Sequence, residues 1–126
     1  MVTPGPHMDI DLWVMPAPEN AERVLRALHR FGAPLQHVTL ADFKQDGTVF
    51  QIGVAPRRIA IITAASGLQF EASYDNSIAV DIEGIEVRIP CVADLIRNKR
   101  ASGRTKDMAD AEALEELEGF EQSPEP

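Results

Sequence analysis

Apolar and acidic residues alternate from Asp9 to Met15, in the order Asp-Ile-Asp-Leu-Trp-Val. That period of two predicts a strand with Ile10, Leu12 and Val14 on one face. Pro16 and Pro18 end it. From Pro18 the period changes. Ala21, Val24, Leu25, Leu28 and Phe31 recur at helical spacing, Pro suits a first helical position, and Gly32 follows as a stop. This predicts an amphipathic helix whose apolar stripe packs on a sheet.

The stretch Val38 to Phe43 is ambiguous by period and admits a short helix around Leu40 to Phe43, while Gln45-Asp46-Gly47 is a turn signal. Val49 to Val54 reads as a strand. Ile59, Ile61 and Ile62 make Arg57 to Thr63 a β-branched run of the buried-strand type, and Gly67 to Tyr74 suits a short helix. Ile78 to Ile82 and Ile85 to Ile89 alternate on either side of Glu83-Gly84, which predicts a hairpin with Gly supplying a positive φ. Pro90 opens a further helix carrying Val92, Leu95 and Ile96, broken by Gly103. A last helix starts at about Thr105, with Met108, Ala111, Leu114 and Leu117 on one face.

Strands mixed with helices predict an α/β (α+β) fold: a mixed β-sheet with a central hairpin, covered by helices. Residues 1–8 hold prolines, a glycine and no apolar period, and read as a flexible lead-in, with Gly5 to Met8 resembling residues left by cloning. Residues 9–118 are expected to form the domain, and 119–126 a disordered acidic tail.

Composition narrows the function classes. At 126 residues, 44% hydrophobic and 25% charged, the chain fits one core. A domain of that size buries roughly two-thirds of its unfolded surface and needs no disulfide, in keeping with the lone Cys91. No apolar stretch approaches the roughly 20 residues that span a bilayer, and no basic leader precedes one, so a cytoplasmic protein without membrane attachment is expected. Twelve basic against twenty acidic residues give a net charge of -8, which disfavours duplex DNA and anionic surfaces as partners. Any phosphate site must be local.

Candidate chemistry starts with Asp9 and Asp11. Two residues apart on a strand, their side chains emerge on one face with Cα atoms about 6.6 Å apart. Carboxylates so placed can share divalent cations such as Mg²⁺, and they equally fit the solvated face of an edge strand. Arg97, Lys99, Arg100, Arg104 and Lys106 place five of the twelve basic residues within ten positions, where a phosphate or nucleotide would be met. The same cations can offset a helix macrodipole by about 0.3–1 kcal/mol. Asp107 and Asp110, one turn apart, can clamp Lys99, Arg104 or Lys106 as ion pairs. His7, His29 and His37 have no metal-ligand spacing, Cys91 reads as inert, and Trp13 fits either a base-stacking or a core position.

The order of these segments carries a resemblance. Asp9-Ile10-Asp11-Leu12-Trp13 is followed by Glu19-Asn20-Ala21 and an amphipathic helix, then by Val49-Phe50-Gln51-Ile52-Gly53, Arg58-Ile59 and Ile61-Ile62-Thr63. After the hairpin come Asp94-Leu95-Ile96 with Lys99, and Arg104-Thr105-Lys106-Asp107-Met108-Ala109-Asp110. The series resembles bacterial nucleotidyltransferase-like proteins of the DNA polymerase β superfamily, relatives of the abortive-infection toxin type, over nearly all of residues 9 to 114. The resemblance implies a nucleotidyltransferase-like fold and Mg²⁺-dependent transfer of a nucleoside monophosphate from a nucleoside triphosphate to an acceptor. Asp9 and Asp11 would be catalytic and metal-binding, with Lys99, Arg104 and Lys106 binding the nucleotide.

Two departures qualify that expectation. The family's third carboxylate falls at Ala60, and its glycine-rich turn lies in a segment longer than the eight residues before Asp9, so the domain is expected to be N-terminally short. Losing oriented charge in a phosphoryl-type transfer costs orders of magnitude in rate, so activity is expected to be absent or reduced. The alternative expectation is a non-catalytic binding or assembly module, a homo-oligomer or one bound to a partner protein, covering a sheet face left exposed.

Overall fold

The alternating run before Pro16 forms strand β2 (Ile10–Trp13), and the isoleucine-rich run forms β4 (Arg57–Ile62). In the computed structural model, which describes residues 1–4, 10–54, 57–103 and 105–122, these strands are parallel neighbours. Ile10 pairs with Ile59, Asp11 with Ala60, Leu12 with Ile61 and Trp13 with Ile62. Strand β3 (Val49–Val54) pairs antiparallel with β4, and β1 (Val2–Pro4) antiparallel with β2. Among the described residues this makes a mixed four-stranded sheet in the order β1-β2-β4-β3.

Because side chains alternate across a strand, the register sorts them into two faces. One face carries Leu12 with Phe50, Ile52, Ile59 and Ile61, and Val14 beyond the strand end joins the same core. Helix α1 (Pro18–Phe31) packs there, burying Ala21 and Leu28, and Phe43 fills the centre from the 3₁₀ helix Leu40–Lys44. The other face carries Asp11, Trp13, Ala60, Ile62 and Gln51.

α1 starts and stops as its sequence predicts. Pro18 stands in the first turn, where a missing N–H costs nothing, and Glu19 in that turn and Arg30 in the last are each favourable to the macrodipole. Gly32 takes a left-handed φ of 87°, and the N–H groups of Gly32 and Ala33 both reach the Leu28 carbonyl at 3.1 Å, a Schellman stop. The ambiguous stretch resolves as the 3₁₀ helix because Asp42 caps it: its carboxylate accepts the Thr39 N–H at 2.8 Å.

Three expectations are corrected. Val2–Pro4 lay in the segment read as lead-in, yet pair with β2. The Met1 amine donates to the Trp13 carbonyl at 2.7 Å, and the Trp13 N–H donates back to Met1 at 2.6 Å. Pairing satisfies backbone groups along the β2 edge, a gain that no local pattern announces. Burial lowers the pKa of this amine.

The hairpin is not central to the sheet. β5 (Ile78–Ile82) and β6 (Ile85–Ile89) make a separate two-stranded sheet, closed by Glu83 at φ 52° and Gly84 at φ 84°. Both torsions are positive, as a type I′ turn requires. The third correction concerns the C-terminal side, where α4 (Thr105–Gln122) runs through Gly119 into the expected tail, and 123–126 lie outside the described residues.

Helix α2 (Phe70–Asp75) follows the sheet, and α3 (Val92–Ser102) packs with α4, whose Ala111 is fully buried. The loop before α2 presses on α3. A Cβ at Gly67, whose φ is 75°, would lie 2.7 Å from the Cβ of Ala101, and the Asn98 amide donates to the Ser66 carbonyl at 3.0 Å. No helix among the described residues is long and apolar enough to cross a membrane.

Candidate functional site

Asp11 is the sequence-predicted acid that the structure describes; Asp9 lies outside the described residues. It is half-buried on β2, in register with Ala60 on β4, and Gln51 of β3 follows at the next register position on the same face. A carboxylate, a methyl group and an amide therefore line up across three adjacent strands. A residue at position 60 would share Asp11's side of the sheet, next to it across one strand spacing of about 4.8 Å. Mg²⁺ requires oxygen donors, and Ala60 has none to give. The donor set on the described residues thus does not fit the three-carboxylate centre that the resemblance implies.

Two positions on from Asp11, on the same face, Trp13 is 1% exposed. Its ring meets Phe70 of α2 edge-on, with centroids 5.2 Å apart, and Phe70 stacks on Tyr74 at 5.7 Å. The Arg88 guanidinium from β6 sits 5.4 Å from the Tyr74 ring centre, a cation–π contact, with Glu86 at 3.1 Å from its Nε. Trp13 is therefore a core residue linking sheet to α2, and its closed environment removes it from base stacking. Its indole N–H is buried without a protein hydrogen-bond partner.

The predicted cation cluster is largely committed to structure. Lys99 is 9% exposed, and its ammonium lies 3.8 Å from the Asp110 carboxylate of α4. Arg100 pairs with Glu115, also across α3 and α4, and Arg97 donates to Asp94 at 3.3 Å. The clamp foreseen for Asp110 is what these residues form with Lys99. To reach a phosphate, Lys99 would have to leave that pair. Arg104 and the side chains of Lys106 and Asp107 lie outside the described residues, so the structure brings together Lys99 with Asp110 and Asp11 with Ala60.

Sequence reasoning met Asp94 only as part of the Asp94-Leu95-Ile96 run and gave it no role of its own. It is 4% exposed, in the first turn of α3, where the helix dipole favours a carboxylate, and one of its oxygens has no hydrogen-bond partner. Its spacing to Arg97, one turn on, was the available signal. Cys91 precedes α3 as a half-buried free thiol, and among the described residues no three His, Cys, Asp or Glu side chains converge as a metal group.

Phe31 is a further correction. Read as the last residue of α1's core stripe, it is 64% exposed, at the open margin of that same apolar layer. An apolar groove of about 250 Å³ opens beside α1, with Leu12, Val14, Val24, Ile52 and Ile59 in its walls and Phe31 at its edge.

Comparison of the chain with protein-family models gives no match, and comparison with curated proteins and with solved structures gives none either. The structure defines the class as a mixed α+β domain with a small mixed sheet.

Proposed function

We propose that this chain is a nucleotidyltransferase-fold domain that keeps the strand pair on which the superfamily carries its carboxylates, while its transfer of nucleoside monophosphate is absent or much reduced. The observation that carries the reading is the register of β2 and β4, which sets Asp11 directly beside Ala60. Asp9 and Asp11 would hold Mg²⁺ with a nucleoside triphosphate, and the ion would supply charge neutralisation at the phosphates. With an alanine in place of the third acid, binding is retained more readily than chemistry, because positioning for in-line transfer needs every oriented charge.

Calorimetric titration with Mg²⁺ or Mn²⁺ and a nucleoside triphosphate tests this. The wild-type chain is expected to give a binding heat that Asp9→Ala or Asp11→Ala weakens at least tenfold. No heat, or heat indifferent to both substitutions, removes the nucleotide reading.

A second reading, that the fold serves as a non-catalytic assembly module, is favoured by a separate observation. The groove beside α1 leaves Phe31 64% exposed over a floor of sheet aliphatics. Open apolar surface of this kind marks interaction sites.

A further inference from the structure

We infer that α1 and the groove beside it form a homodimer interface, in which α1 of one copy packs antiparallel on α1 of a second. The inference rests on the assembly reading and deepens it; nucleotide binding plays no part in it.

The groove itself does not name its occupant, but the charges along α1 do. Glu19 in the first turn and Arg30 in the last lie on the side of the helix next to exposed Ala27, with Arg23 between them. Antiparallel overlap sets Glu19 of each helix against Arg30 of the other, and each helix N-terminus against the other's C-terminus. Parallel overlap would set like against like.

The lateral order on α1 fits a two-fold axis. With 3.6 residues per turn, exposed Ala27 heads a strip that has Phe31 and Val24 on one side and Arg23, Arg30 and Glu19 on the other. A two-fold axis across antiparallel helices keeps corresponding sides together. The apolar side of one copy, with its groove, then lies beside the apolar side of the other, and the charged side beside the charged side. With the axis between Arg23 and Ala27, Glu19 of each copy comes level with Arg30 of the other. Ala27 is small enough to let the helices approach, and Phe31 leaves water for the shared apolar seam.

The test uses the full chain and sedimentation equilibrium, with circular dichroism to show that each variant keeps its helices. The wild-type chain is expected to dimerise. Phe31→Asp, at an exposed position, should weaken the dimer by about thirtyfold or more. Arg30→Glu and Glu19→Arg alone should each weaken it roughly tenfold, since both symmetry-related pairs turn repulsive. Mixing these two variants should restore a heterodimer, and the double variant E19R/R30E a homodimer. A monomeric wild-type chain would sink the self-association reading together with the inference. A dimer indifferent to Phe31→Asp and to the charge reversals would overturn the inference and leave assembly standing through another face.

Discussion

Trp13 and Asp11 are two residues apart on one strand face, and their surroundings explain why one is structural and the other a site candidate. Trp13 is 1% exposed, with Phe70 of α2 edge-on against its ring, whereas Asp11 keeps partial exposure on the same strand. The Trp13 ring contributes area and an edge-to-face contact, but its buried N–H lacks a protein acceptor, a cost of about 1–3 kcal/mol set against that burial. Trp13→Ala is therefore expected to cost about 3–5 kcal/mol in urea unfolding. Trp13→Phe, which shrinks the ring but deletes the orphan donor, should cost less than half as much. Equal losses for both would show that the N–H is satisfied. Asp94 is the complementary case, a buried carboxylate with one oxygen unpaired, and its place in α3's first turn together with the Arg97 guanidinium on its other oxygen offsets the burial.

At the scale of elements, those whose determinants are local form where the sequence places them. The hairpin turn shows the rule and its slack. Gly84 accepts its positive φ without strain, but Glu83 at φ 52° carries a side chain in the left-handed region. Glu83→Asn is expected to stabilise the protein by about 0.5–1 kcal/mol, visible as a raised midpoint in thermal unfolding. An unchanged or lowered midpoint would mean that Glu83 has a compensating contact. α1 was legible because Pro18 and Gly32 act through their own torsions, and the Leu40–Lys44 turn became definite through one side chain, Asp42, that periodicity does not weigh. Strand pairing was less legible. Val2–Pro4 joins the sheet, and β5-β6 stays out of it, through choices of non-local partner that no window of sequence contains. Phe31 was misplaced for a related reason: it lies at the margin of the helical stripe, where a small rotation decides between core and solvent.

Over the whole molecule, two features compete to define what the domain is for. One is the strand pair with Asp11 beside Ala60; the other is the open apolar side of α1. The acids of the candidate site were visible in the sequence as a spacing, but their value depended on the neighbour across the sheet, which only register supplies. The cations were visible as a cluster, yet Lys99 and Arg100 prove to be tied to α4, because a charge run does not reveal which carboxylates fold onto it. The two features lie on opposite faces of the sheet, so the proposed nucleotide binding and the proposed dimerisation can be tested by separate substitutions.

The register of Asp11 and Ala60 is best tested by restoring an acid there and titrating Mg²⁺ in the presence of a nucleoside triphosphate. Ala60→Asp is expected to bind the ion at least tenfold more tightly than the wild-type chain, because a second carboxylate then faces the same space as Asp11, and adding Asp11→Ala should abolish the gain. An Ala60→Asp chain that folds but binds Mg²⁺ no better than wild type would contradict a metal-binding lineage for this strand pair.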